Sequence, residues 1–190
     1  MPPALKLIAD PAPGLAPTPE FAEAMSALAS GVVVVTSRVD DRPWGLTVTS
    51  FASVSAAPPT VLVSLRSAGA SARSIAAARS FGVSILSEEQ LAVARRGSEP
   101  GAPKFLGHFG EAGDDISATP AVAGALAHLE CEVADAVRIA DHTVFFGGVR
   151  AARARRAGTP LLYHRRDYRS LATPAAAHPP TERRPTWRTN

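Results

Sequence analysis

The strongest constraint on this chain is a succession of short β-type segments joined mostly by turns. "VVVVTS" (32–37), "TVLVSL" (60–65) and "FGVSIL" (81–86) are short apolar runs with the pattern of buried strands. "AHLECEVADAVRI" (127–139) alternates, placing Leu129, Cys131 and Val133 inward and Glu130 and Glu132 outward. "HTVFFGGVRAARAR" (142–155) is a further strand, and its Gly147-Gly148 pair signals a bulge or a close approach to a ligand or a second subunit. With "GLTVTSFASVS" (45–55) this makes six strands. They lack the regular strand–helix–strand alternation of a doubly wound sheet. A mainly β fold with short helices, built as a small antiparallel barrel, fits better.

Helix punctuation is local. Thr18 and Pro19 open a helix with Glu20 and Glu23 near its positive end, and Phe21, Met25 and Leu28 form one apolar stripe that Gly31 stops. "DDRP" (40–43) reads as a turn, and "SARSIAAA" (71–78) as a short helix. "SEEQLAVARRG" (87–97) carries Ser87 and Gln90 as a capping box, arginines in the last turn and Gly97 as the stop.

The chain has 190 residues, which suits one domain with tails. Residues 1–18 read as a flexible Pro-rich arm, 19–171 as the domain and 172–190 as a disordered basic tail. The basic excess sits at the C-terminal end, where residues 165–190 hold six arginines and two acids. A nucleic-acid face would need a patch on the body instead, so no nucleic acid is expected. "RAARARRAG" (150–158) reads first as a solvated strand end, with a flavin, nicotinamide or phosphate approach as the alternative. No apolar run reaches the roughly 18 residues of a membrane helix, and the N-terminus is no signal peptide. Cys131 is the single cysteine, which fits a reduced, cytoplasmic setting.

Chemistry-bearing residues are sparse. The five histidines show no HxH or HExxH spacing, and Asp141 and His142, as neighbours on a strand, would face opposite ways, so no metal site is expected. "GLTVTSFASVS" has a face of hydroxyls, Thr47, Thr49, Ser53 and Ser55, interrupted by Phe51. Its other face is Val48, Ser50, Ala52 and Val54. The hydroxyl face suits either water or a ligand needing many hydrogen bonds. "SLRSAGASARS" (64–74) runs through a small loop to a helix start, where Arg66 and Ser71 suit a phosphate. "PLLYHRRDYRSL" (160–171) gathers Tyr163, His164, Arg165 and Tyr168, either as terminal packing or as a stacking and charge platform.

In order, "GLTVTSFASVSAAPPTVLVSL", "FGVSIL", "LECEV", "DHTVFFGGV" and "PLLYHRRDYRSL" resemble the flavin reductase-like family over about residues 19–171. The resemblance implies an FMN-binding split β-barrel with Greek-key topology. It implies a homodimer and the reductase component of a two-component flavin-dependent monooxygenase. The cofactors implied are FMN or FAD, with NADH or NADPH as co-substrate. It implies flavin contacts from Thr47, Val48, Thr49 and Ser50, and from Ser53, Val54 and Ser55. The loop from Arg66 to Ser71 would approach the phosphate, and Lys104-Phe105 resembles a K-F pair near the flavin. His142 would lie by the nicotinamide, with Tyr163, Arg165 and Tyr168 bordering the pocket. The apolar face of 45–55 then becomes barrel core. Three residues depart from the pattern: Ala140 for the usual Gly before Asp-His, Ala72 for a Thr, and Ser84 for an Asn. The alternatives are a split-barrel flavoprotein that retains FMN and oxidises its own substrate, a non-catalytic flavin- or haem-binding module, and an Arg-tail nucleic-acid binder.

Overall fold

The computed structural model describes residues 6–7, 18–105, 107 and 119–171. Most of the expected N-terminal arm and all of the tail after 171 lie outside them. The chain runs β1 (Lys6–Leu7), α1 (Pro19–Ser26), β2 (Ser30–Gly31), β3 (Val33–Val39), β4 (Arg42–Val48), β5 (Phe51–Ala56) and β6 (Pro59–Arg66). It continues through α2 (Ala70–Ala78), β7 (Ser80–Ile85), a 3-10 turn (Glu88–Gln90), α3 (Leu91–Ser98), β8 (Ala127–Ile139), β9 (His142–Ala154), β10 (Leu161–His164) and β11 (Asp167–Ser170). The main sheet has the order β4-β3-β7-β8-β9-β6-β5, with β1 on β8. A smaller sheet has the order β11-β10-β2. Every pairing but β1–β8 is antiparallel, as the mainly β reading expects.

Turn chemistry sets the hairpins. Asp40 and Asp41 both take positive φ, and so do Arg165 and Arg166, so each pair closes a tight two-residue turn. Thr18 caps α1 by accepting from the Phe21 N–H at 3.1 Å, and the Gln90 side chain accepts from the Ser87 N–H at 3.0 Å. Two helix boundaries differ from the sequence reading. The first helix ends at Ser26, and Gly31 lies in β2, whose pairing with β10 overrides the local stop signal. Gly97 lies inside α3, where it gives room to a neighbour.

The expected single strand 45–55 is two strands. Thr49 and Ser50 leave the ladder between β4 and β5, and the break shifts the alternation by one residue. Leu46 and Val48 pack on the core before it and Phe51 packs on the core after it. Ala52 and Val54, expected in the core, are exposed for that reason.

Two cores share β3. Val33 and Val35 join Val63, Ile75, Phe81, Val83, Phe145 and neighbours in the larger one. Val32 and Val34 join Leu86, Ala94, Val122 and Leu161 in the smaller one. The glycine pair of β9 serves the larger core. A Cβ on Gly147 would fall 2.5 Å from Phe81 Cζ and 2.9 Å from Cys131 Cβ, so its close approach is to buried side chains. The β8–β9 ladder shifts register twice, with Arg150 of β9 as the extra residue opposite Glu130/Cys131 and Ala134 of β8 as the extra residue between Val133 and Asp135. Burial pushes the Cys131 thiol up to about 12.

A buried polar cluster links β7, β8 and the segment 119–122. Ser84 Oγ accepts from the Val122 N–H at 3.0 Å and shares a hydrogen bond with His128 Nδ1 at 3.1 Å. His128 Nε2 shares another with Thr119 Oγ1 at 3.2 Å. Burial is the first cause holding His128 below the usual histidine range, partly countered by Glu130 and reinforced by Arg153.

Candidate functional site

The β4–β5 break opens one wall of a cavity of about 770 Å³. That is within the range of small-molecule sites, roughly 300–1,000 Å³. Leu46, Val48 and Leu65 give it an apolar side. Thr49, Ser50 and Ser64 give it hydroxyls, and Arg66, Gly69, Ser71 and Ala72 form its β6–α2 corner. The end of α3, from Ser98 to Gly101, and Lys104 close another wall, and His142 stands at the β8–β9 turn.

The structure thus brings together Val48, Thr49, Ser50, Arg66, Ser71, Lys104 and His142 of the expected residues. It does not bring Thr47, Ser53, Val54, Ser55, Phe105, Tyr163, Arg165 or Tyr168 to the lining. Thr47 points instead at α3. A Cβ on Gly97 would fall 2.1 Å from Thr47 Oγ1, and that hydroxyl is buried without a hydrogen-bond partner. Ser53 and Val54 are exposed on β5, and Ser55 Oγ accepts from the Ala57 N–H at 3.2 Å. Tyr163 and Tyr168 pack against the smaller core with ring centroids 5.2 Å apart. Tyr168 Oη reaches Ser98 Oγ at 3.3 Å, bracing the α3 wall from behind. Arg165 is a turn residue whose N–H donates to Ser26 O at 2.7 Å.

Several polar groups in the lining are already committed. Ser50 Oγ donates to Ser64 O at 2.6 Å, tying the break to β6. Lys104 is buried, and its ammonium donates to Glu99 O and Ala102 O, closing the C-terminal end of α3. Burial lowers its pKa, Glu99 opposes that and Arg96 adds to it. Ser71 Oγ accepts from the Trp44 indole N–H at 3.0 Å. The Thr49 hydroxyl and the Arg66 guanidinium make no hydrogen bond among the described residues.

Asp141 and His142 do not face opposite ways. Ala140, at φ 50°, places Asp141 in the turn before β9, so its Oδ1 lies 2.6 Å from His142 Nδ1. The hydrogen bond from His142 is the first cause holding the Asp141 carboxyl below its usual range, with the charges of His142 and Arg66 adding to it. Asp141 O accepts from the Ser67 N–H at 2.8 Å, which docks the turn onto the β6–α2 loop. Among the described residues, no group of three or more His, Cys, Asp or Glu is placed to hold a metal ion.

Sequence reasoning missed Ser64 and the Ser98–Gly101 wall. Ser64 carried a signal, a hydroxyl interrupting an apolar strand. Gly101 carried another, a glycine after a helix, here at φ +73°. The basic run at the end of β9 is an exposed strand end: Arg150 pairs with Glu132, and Arg155 donates to Gly124 O at 2.9 Å.

Comparison with known proteins covers almost the whole described body. Residues 25–172 match the family model described as "Flavin reductase like domain". An "NADH:riboflavin 5'-phosphate oxidoreductase" of Streptomyces pristinaespiralis is 40% identical over 174 residues, covering 88% of this chain and 97% of that protein. The reductase component of a 4-nitrophenol 4-monooxygenase/4-nitrocatechol 2-monooxygenase of Rhodococcus opacus is 36% identical over 149 residues, 77% of each chain. Among solved structures, the Streptomyces globisporus C-1027 NADH:FAD oxidoreductase SgcE6, in complex with NAD and FAD fragments, superposes with a TM-score of 0.74 at 30% identity. That match covers 83% of this chain and 94% of the other.

Proposed function

The chain belongs to the flavin reductase-like domain family, and on that premise we propose that it is an NAD(P)H:flavin oxidoreductase. It takes FMN or FAD as flavin and NADH or NADPH as reductant. It supplies reduced flavin to a partner flavin-dependent monooxygenase, a reading supported by the Rhodococcus relative's name as the reductase component of a monooxygenase. The observation that carries the reading is the cavity between the β4–β5 break, the β6–α2 corner and the His142 turn.

The lining fits a flavin. An apolar side formed by Leu46, Val48 and Leu65 suits a planar ring, and Arg66 with the start of α2 suits a phosphate. When bound, the flavin supplies the hydride-accepting ring, and that chemistry is the cofactor's own. The chain's contribution is orientation within reacting distance. Thr49 offers a free hydroxyl, Arg66 a charge and Ser71 a donor to the ligand. Asp141 fixes the His142 ring through Nδ1, so Nε2 is the atom left to contact the nicotinamide. No general acid or base is needed.

Exposure of Phe21 and Met25 on α1, and of Leu28 just after it, supports a homodimer, since α1 buries none of its own residues. Among the described residues no helix is long and apolar enough to cross a membrane. With a single cysteine, that supports a cytoplasmic enzyme.

Following NADH and NADPH oxidation with added FMN, FAD, riboflavin or no flavin tests the reading. Oxidation that depends on added flavin supports it, and none under any combination overturns it. Flavin retained through extensive dialysis would favour the flavoprotein that oxidises its own substrate. Light scattering after gel filtration tests the dimer.

A further inference from the structure

Ser71 is buried, 3% exposed, in the first turn of α2 and at the edge of the cavity. Its hydroxyl has one proton and two lone pairs. The Trp44 indole N–H can only donate, and at 3.0 Å it occupies a lone pair of Ser71 Oγ. The Ser71 hydroxyl makes no other hydrogen bond among the described residues. Its proton therefore has no acceptor within the described chain, and the cavity is where one can be offered.

Trp44 itself lines no part of the cavity. One ring contact holds the indole, and two further contacts hold its partner Phe105 in place. Phe105 meets it edge to face with centroids 5.0 Å apart. The Arg42 guanidinium lies 3.7 Å from the centroid of the Phe105 ring. Lys104 O accepts from the Gly45 N–H at 2.8 Å, holding Phe105 beside β4. The indole is thus a fixed donor that sets the polarity of Ser71 from outside the site.

We propose that Trp44 is a positioning residue whose indole N–H turns the Ser71 hydroxyl into a donor facing the cavity, where it selects a phosphorylated flavin over riboflavin. The inference rests on the flavin reading above. A phosphate needs donors, and a hydroxyl free to rotate would present a lone pair as readily as a proton. Arg66 supplies charge at the same corner, while Trp44 and Ser71 supply direction. In the same way Phe105, though absent from the lining, acts on the site through Trp44.

The test is a binding comparison on the full chain. Dissociation constants for FMN and riboflavin are measured by flavin fluorescence for the natural chain, Trp44→Phe, Ser71→Ala and the double variant. Phenylalanine keeps an aromatic ring against Phe105 and removes the N–H together with part of the indole's bulk. The expected result for Trp44→Phe is an FMN constant about 3- to 10-fold weaker, one hydrogen bond's worth, with riboflavin changed less than about twofold. The double variant should bind FMN no more weakly than Ser71→Ala alone, because Trp44 acts through Ser71. Equal loss for both flavins, or additive losses in the double variant, overturns the proposal. If the natural chain binds neither flavin, the flavin reading fails and this inference falls with it. If it binds both and Trp44→Phe leaves their ratio unchanged, only the positioning role fails.

A second readout is taken on the natural chain itself. The chain has two tryptophans, Trp44 and Trp187, so two indole N–H resonances are expected in a proton–nitrogen spectrum. Trp44→Phe assigns them. The Trp44 resonance should move on adding FMN and stay nearly still with riboflavin, since a phosphate accepting from Ser71 polarises the chain of bonds. A Trp44 resonance that ignores FMN overturns the proposal.

Discussion

Two adjacent glycines in β9 make a controlled experiment on core packing. On propensity alone, alanine in a strand interior should stabilise by about 0.5–1 kcal/mol relative to glycine. Gly148 can show that gain, because a Cβ there meets nothing nearer than Glu132 O at 3.9 Å. Gly147 cannot. Its Cβ would fall 2.5 Å from Phe81 Cζ and 2.9 Å from both Phe81 Cε1 and Cys131 Cβ. Phe81 is fully buried, so the ring has no solvent to move into. Overpacking of this kind costs about 1–3 kcal/mol, which exceeds the propensity gain. Gly147→Ala should therefore be destabilised by up to about 2.5 kcal/mol, while Gly148→Ala is neutral or slightly stabilised. In a domain of this size that is a fall in Tm of up to roughly 10 °C for the first. Urea melts with unchanged slopes give the free energies. Phe81→Leu in the Gly147→Ala background should cost less than the sum of the two single changes. Equal stability of the two alanine variants, or a Gly147→Ala variant more stable than the natural chain, would refute the packing argument.

Three further expectations follow from groups placed above. His128 is held neutral by burial, so its folded pKa lies below the unfolded value of about 6.5. Its contribution to stability is present above that pH and is lost as pH falls below it. Urea midpoints from pH 8 to 5 should show a decline that is shallower in His128→Gln. Thr49→Val should weaken flavin binding by about 0.5–1.5 kcal/mol, whereas Ser53→Val, on an exposed strand away from the cavity, should not. Fluorescence titration separates the two, and equal losses would return the hydroxyl face to the site. His142→Ala should raise the apparent KM for nicotinamide more than that for flavin, and Asp141→Asn should do the same to a smaller degree. The reverse pattern in steady-state kinetics rejects the nicotinamide assignment.

Much of the fold was legible because local chemistry decides it. Thr18, the Ser87–Gln90 pair and the Asp40-Asp41 turn act through their own neighbours, so their effect can be read from adjacent letters. The cavity was partly legible for the opposite reason: its walls come from segments far apart in sequence. "GLTVTSFASVS" reads as one alternating strand, and nothing in it marks the departure at Thr49 and Ser50. That departure reverses which face the residues from Phe51 to Ser53 present, before a bulge between Ser53 and Ser55 shifts the alternation again. It separates Thr49 from Ser53 and Ser55, which the period alone had placed side by side. Asp141 and His142 were misread similarly, because adjacency implies opposite faces only on a strand, and Asp141 is in a turn. Gly97 was read as a helix stop, although its role is to admit Thr47 from another element. Close approach between distant segments leaves no local mark beyond the glycine itself.

The shared strand β3 has a consequence for how the molecule opens. Successive valines from Val32 to Val35 face the larger and smaller cores in turn, and β3 is paired on both edges by β4 and β7. Neither core can loosen without disturbing this strand. The amide protons of Val33 to Thr36 should exchange with solvent deuterium only through whole-domain unfolding, at the slowest rate in the chain. Those four amides would then report the global free energy of the protein without denaturant, against which the faster-exchanging rim of the cavity can be measured.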